Sequence, residues 1–252
     1  MKLSGVRIRN KITAMIPARM GSTRLPRKNL ALLGGKPLIS YAIAAAKKSG
    51  VFNRIVVNSE NTLFAGIAKQ YGVDFYKRPA RWATSRAKSD SVVYDFVKNN
   101  PCDIIVWVNS ISPLQSGGDI EGAVKYFIKK GLDSLITVKE EQVHCLYKGR
   151  PVNFRRKGVF ARTQDLTPVQ PFVYSVMMWR TSSFMRTFEK RGRAVFSGKV
   201  GFYPVGKPAS VIIKRKEDLM LAEFLLRVAK KKSAYRVKYV KGIKAAKGGP
   251  KP

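Results

Sequence analysis

The amino-acid sequence predicts an α/β fold, a doubly wound and mostly parallel sheet. Strand-like and helix-periodic segments alternate five times over about 125 residues. The run DIIVWV at 103–108 is apolar without interruption, the signature of a strand buried on both faces, as in a parallel sheet. A loop rich in Gly, Ser, Thr, Arg and Pro follows the first apolar strand, where open α/β sheets receive ligands.

The elements follow in order. Residues 12–17 read as a short apolar strand. Residues 37–48 have helical spacing with lysines at the end, and Gly50 stops the helix because glycine takes positive φ at no steric cost. Residues 54–58, RIVVN, read as a second buried strand, 62–71 as a helix ended by Gly72, and 73–76 as a third strand. A helix is predicted over 90–99, the strong strand over 103–108, a helix over 118–130 and a strand over 134–138. The alternation then breaks. The polar, basic stretch at about 139–169 reads as an inserted arm or hairpin layer, of the kind that mediates dimer contacts. Residues 181–190 and 216–231 return to helical spacing. One domain over 1–231 is expected, followed by a basic Gly/Pro-rich tail over 232–252.

Composition sets the outer limits. A chain of 252 residues with 45% hydrophobic and 10% aromatic content buries an ordinary globular core. No apolar run approaches the ~20 residues that span a bilayer, and the basic first eleven residues lack the apolar stretch of a secretory signal. Cys102 and Cys145 are the only cysteines, so a disulfide framework is not expected and a reducing cytoplasm is. The charge is unusual: 49 Lys and Arg against 15 Asp and Glu, a net +34. Such a field attracts polyanions nonspecifically. The basic residues are spread along the chain, without an aromatic-interleaved RNA motif or a helix-turn-helix pattern, which argues against specific nucleic-acid readout.

The loop after the first strand carries Arg19, Gly21, Ser22, Thr23, Arg24, Arg27, Lys28 and Asn29. Gly21 lets backbone approach phosphate oxygens, Ser22 and Thr23 add hydroxyl donors, and Arg19 and Lys28 supply the cations a triphosphate needs. The pattern is neither G-x-x-x-x-G-K-[ST] nor G-x-G-x-x-G, so P-loop and dinucleotide readings both fail.

The segments IPARMGSTRLPRKN at 16–29 and LGGKPL at 33–38 resemble the opening of the acylneuraminate cytidylyltransferase family. The resemblance continues through FNRIVVNS at 52–59, YGV at 71–73, RPA at 78–80, SPL at 112–114, RTQDL at 162–166 and, in part, 210–219. It implies a Rossmann-like nucleotidyltransferase fold with a dimerisation arm. It also implies a reaction in which a sugar acid's anomeric hydroxyl attacks the α-phosphate of CTP and releases pyrophosphate. By position it assigns Arg19, Gly21, Ser22, Lys28 and Asn29 to the triphosphate, with Arg19 and Lys28 neutralising the leaving group. Arg78 and Ser89 fall on the cytidine side. Asn109 replaces a glutamine facing the sugar, and Arg162 and Gln164 approach the sugar or its carboxylate, which suits an Arg fork. A homodimer and Mg²⁺ are implied as well.

This sequence departs from the pattern where the metal is concerned. Two aspartates spaced by one residue bind Mg²⁺ in the family; Ile212 and Lys214 stand there. Ile111 replaces an acidic residue of some relatives, and an acidic pair has become Ser59 and Glu60. Neither Ile nor Lys ligates Mg²⁺, so no metal ligand is assigned. Asp218 and Glu217 read as the acidic start of the last helix. In place of the family's Asn-Gly-Ala-Ile-Tyr strand stands FVYSVMMW at 172–179, where Tyr174 and Ser175 carry hydroxyls inside a run that reads as core. His144 and Cys145 lack partners for a metal site. Two further readings stay open: a non-catalytic descendant that binds nucleotide or polyanion, and a relative using another nucleotide or sugar.

Overall fold

The computed structural model describes residues 10–230, together with the backbone of an antiparallel pair, Lys2–Leu3 with Val6–Arg7. Its centre is a seven-stranded sheet: β1 (Ile12–Pro17), β2 (Arg54–Ser59), β3 (Asp74–Lys77), β4 (Ile104–Val108), β5 (Ser134–Val138), β6 (Phe172–Arg180) and β7 (Val200–Pro204). The strands lie in the order β7-β5-β6-β4-β1-β2-β3. All neighbours are parallel except β6, which runs antiparallel to both β4 and β5.

Why these runs become buried strands is visible in their alternation. Ala14, Ile16, Val57, Val106 and Val108 face one apolar layer, while Met15, Val56 and Ile105 face the other. Helices α1 (Leu38–Ser49), α2 (Leu63–Gln70) and α4 (Gly117–Lys129) cover the first layer through Ile39, Ile43, Phe64, Ile120 and Phe127. Helices α3 (Ser89–Asn99) and α5 (Thr181–Arg191) cover the second through Val93, Phe96 and Phe184. The last helix, α6 (Lys216–Lys230), places Ala222 with Leu33, Leu38 and Ile213. The doubly wound sheet expected from the sequence is thus the observed one.

Boundaries agree with the sequence reading to within two residues, for physical reasons. Gly50 closes α1 at φ 64°. Ser116 caps α4 by accepting the Asp119 N–H while Asp119 accepts the Ser116 N–H, a reciprocal capping box. Gly117 lets α4 approach α1: a Cβ there would lie 2.8 Å from the Lys48 carbonyl carbon and the Ser49 nitrogen. Backbone cannot yield as a flexible side chain does, so Gly117→Ala is expected to cost about 1–3 kcal/mol. The urea midpoint should fall with an unchanged slope.

Two features of the sheet were not legible. The edge strand β7 was not anticipated, because Gly201 and Pro204 interrupt its apolar pattern; it exists through pairing with β5. At Gly201 the Leu132 side chain occupies the space a Cβ would take. In β6, Tyr174 adopts φ 57° where the pairing with β5 slips between Phe172 and Met177. A tyrosine at positive φ is a bulge that strand propensity does not announce.

Outside the sheet, the chain from 139 to 171 forms a small antiparallel ladder, Leu146–Tyr147 with Arg150–Pro151, and a 3-10 turn at Thr163–Asp165. The basic tail from 232 lies outside the described residues. No helix among the described residues is long and apolar enough to cross a membrane.

The pairing of β3 with α3 carries a titratable contact. The Tyr76 hydroxyl donates to Asp95 at 2.9 Å, and its pKa is pushed from 10.0 to about 12, chiefly by burial and then by the Asp95 carboxylate. The unfolded chain then loses this proton at lower pH than the folded one, so its contribution to stability is complete below pH 10 and lost as pH rises through about 12. Tyr76→Phe should remove that alkaline component from a stability–pH profile.

Candidate functional site

The strand order reverses between the parallel β1 and β4, since β2 and β3 extend to one side and β6, β5 and β7 to the other. Crevices at such switch points, at the carboxyl ends of strands, are the ligand sites of open α/β sheets. Here a cavity of about 320 Å³ opens there, between Pro17 to Asn29, Arg78 to Val92 and Trp107 to Ile111.

One wall is the loop singled out above. Arg19, Ser22, Lys28 and Asn29 line the cavity. The buried Asn29 is fixed by its side chain: Ser110 donates to Asn29 Oδ1 at 2.8 Å, and Asn29 Nδ2 donates to the Arg19 carbonyl at 3.4 Å. Arg27, at φ 50°, turns the chain into the single turn Lys28–Leu30. Lys28 Nζ donates to the Ile213 carbonyl at 3.0 Å. Burial lowers the Lys28 pKa from 10.5, and the neighbouring Arg24 and Arg19 lower it further. The loop therefore gathers Arg19, Arg24 and Lys28 close enough to repel one another, with Asp218 offsetting part of that charge at Lys28.

The opposite wall begins at Arg78. Its side chain is 3% exposed; NH2 donates to the Ala18 carbonyl at 2.8 Å and meets Glu60 Oε2 at 3.4 Å. Burial lowers the Arg78 pKa, and the Glu60 carboxylate opposes that shift. Glu60 Oε1 also accepts the Met20 N–H at 2.8 Å, so one carboxylate joins Arg78 to the loop. Ser89, at the start of α3, completes this side. Asn109 lines the floor, where Nδ2 donates to the Tyr174 carbonyl at 3.1 Å and holds the bulge of β6.

The structure adds lining residues that sequence reasoning missed: Trp82, Thr84, Ser85, Trp107 and Ser110. Ser110 had a usable signal, its place directly after the strongest central strand. Gly21 is not among the lining residues; it lies outside the positive-φ region, and a Cβ there would meet nothing within 4 Å. Arg162 and Gln164 sit on the 139–171 segment, outside this cavity. Arg162 pairs with Asp165 at 2.8 Å, and the Gln164 carbonyl accepts from Gln142.

The metal positions are filled by other roles. Ile212 is partly buried against Val173, Val205 and Ala209. Lys214 is exposed, and its N–H donates to Asp218 Oδ2 at 2.8 Å. No cluster of three His, Cys, Asp or Glu suited to a metal occurs among the described residues. The implied Mg²⁺ therefore does not fit the donors present. His144 stacks on Phe160 at 4.1 Å and edges onto Phe154, bracing the arm. Cys102 and Cys145 are free, and burial raises the Cys102 thiol pKa.

A family model described as cytidylyltransferase matches residues 13–182. The chain is 26% identical over 219 residues to an N-acylneuraminate cytidylyltransferase of Streptococcus agalactiae, covering 83% of this chain and 52% of that one. It thus spans about half the length of that relative. A pseudaminic acid cytidylyltransferase of Campylobacter jejuni is 31% identical over 169 residues, covering 62% and 73% of the two chains. In fold, the chain is similar to a CMP:2-keto-3-deoxy-manno-octonic acid synthetase solved with CTP. The TM-score is 0.68 at 13% identity, covering 87% of this chain and 99% of that one.

Proposed function

From the premise that this chain belongs to the cytidylyltransferase family, we propose that it binds CTP in the switch-point cavity and transfers CMP to a 2-keto-3-deoxy sugar acid. The observation that carries this reading is the cavity wall itself. Arg19, Lys28 and Arg78 supply positive charge, Ser22, Ser85, Ser89 and Ser110 supply hydroxyls, and no carboxylate lines the space. Such a wall suits a polyphosphate and opposes a cationic ligand. The names of the sugar-acid relatives support the acceptor class.

In the proposed reaction the acceptor's anomeric oxygen forms a bond to the α-phosphorus of CTP. The bond between that phosphorus and its bridging oxygen to the β-phosphate breaks, pyrophosphate leaves, and the hydroxyl proton passes to solvent. Arg19 and Lys28 offset the charge growing on the leaving group. Ser89 and Arg78 hold the nucleoside side, and Asn109 faces the acceptor. Arg162 and Gln164 reach an acceptor only across a subunit boundary in this reading. A homodimer joined through the arm supplies that boundary, and the arm's exposed Val159 (97%) and Phe160 (71%) suit such a contact.

The test is pyrophosphate release from CTP with a panel of 2-keto-3-deoxy acids, with and without Mg²⁺. Release with one or more of them supports transfer. Silence across the panel with CTP binding intact sinks the enzyme reading and leaves a nucleotide-binding descendant. That second reading is favoured by Ile212 and Lys214, which hold the metal-ligand positions of the family pattern.

A further inference from the structure

All fifteen Asp and Glu residues of the chain lie among the described residues, and none lines the cavity. Two that touch its loop and the neighbouring 213–215 segment are already occupied. Glu60 accepts from the Met20 N–H, Ser59 and Arg78. Asp218 Oδ2 accepts from the Lys214 and Arg215 N–H groups, each at 2.8 Å, closing the start of α6.

Cations take their place. Residues 211–214 are stitched to the cavity wall: the Ile213 N–H donates to the Ile111 carbonyl at 2.8 Å, and its own carbonyl accepts from Lys28. Ile111 and Lys28 both line the cavity. Lys214, the next residue, is exposed and follows directly on the Ile213 carbonyl that Lys28 Nζ holds.

We propose that this cavity takes the nucleoside triphosphate as the metal-free polyanion, with Arg19, Lys28 and Lys214 supplying the countercharge that a divalent cation would bring. The inference rests on the reading of the cavity as a CTP site. Its physical basis is charge balance. A divalent cation entering the cavity meets Arg19, Lys28 and Arg78 among the lining residues and no carboxylate oxygen there. Complexation with Mg²⁺ also removes two negative charges from the triphosphate, weakening its attraction to the cluster. Free CTP is therefore bound at least as tightly as its Mg²⁺ complex, in contrast to a site built on aspartates.

The experiment is calorimetric titration of the full chain with CTP at constant ionic strength, once in EDTA and once with excess Mg²⁺. Binding in EDTA as tight as, or tighter than, binding in Mg²⁺ is expected. Tighter binding in Mg²⁺ overturns the inference and leaves the CTP reading intact; no binding in either buffer removes both. Lys214→Ala, at an exposed position, should weaken binding in EDTA about tenfold, the scale of a lost charge-assisted contact. The pair Ile212→Asp with Lys214→Asp should make binding depend on Mg²⁺. If Lys214→Ala binds CTP in EDTA as the parent does, Lys214 has no part in the countercharge and the proposal fails as stated.

Discussion

Lys28→Ala is expected to weaken CTP binding about tenfold to a hundredfold, the range of one charge-assisted hydrogen bond of about 1.5–3 kcal/mol. Lys28 lines the cavity, stands within the field of Arg19 and Arg24, and ties the loop to Ile213 through its ammonium. Lys28→Arg keeps the charge and should retain most of the affinity, whereas Lys28→Met keeps only the stem and should behave as alanine does. The pH dependence separates charge from packing. A bound triphosphate favours the protonated lysine, so affinity should decline as pH rises through the lowered Lys28 pKa, earlier than for an ordinary lysine at 10.5. Fold stability moves the other way in that window. The folded chain holds this proton less tightly than the unfolded one, so stability rises with pH there. Titration of CTP binding between neutral and alkaline pH, beside the same series on Lys28→Ala, checks both signs.

Arg78→Ala should be the most destabilising charge removal at the site, costing about 3 kcal/mol, at the lower end for breaking a buried pair. The guanidinium is nearly inaccessible, and its departure leaves Glu60, 18% exposed at its side chain, without its cation. The Ala18 carbonyl also loses its donor. For a chain of this size that loss lowers the melting temperature by roughly 10 °C. Adding Glu60→Gln to Arg78→Ala should recover part of the stability, because the stranded negative charge is gone, but not the CTP affinity. Thermal unfolding and CTP titration of the single and double variants separate the two effects. Equal stability of Arg78→Ala and the parent would mean that the Glu60 contact contributes nothing.

The sheet was legible where one strand's own residues decide its environment. The uninterrupted run Ile104–Val108 needs apolar layers on both sides, and it has them. The edge strand Val200–Pro204 was not legible, since its place depends on a partner far away in sequence and on Leu132 filling the space beside Gly201. Likewise the antiparallel sense of Phe172–Arg180 comes from the path of the chain that precedes it. At the site, Arg19, Ser22, Lys28 and Asn29 could be read together because they sit on one loop. Trp82 comes from a second segment and Trp107 with Ser110 from a third, and only tertiary folding brings these alongside the loop. The double engagement of Glu60 is likewise invisible to spacing, since Met20 and Arg78 lie on either side of it in the chain.

The antiparallel course of β6 has a consequence for how such a chain can diversify. Strand β5 ends, and β6 begins, at the same edge of the sheet as the carboxyl ends of β1 and β4. The excursion between them is pinched at its base, where Lys139 N–H donates to Pro171 and Glu141 and Val169 exchange hydrogen bonds at 3.0 Å. What lies beyond that clasp is free to lengthen, shorten or change its sequence without altering the register of the strands. In the proposed reaction, acceptor choice and nucleotide capture would thereby sit on separately variable pieces of one polypeptide, and rewriting the loop would reach new acceptors while leaving the phosphate end unchanged.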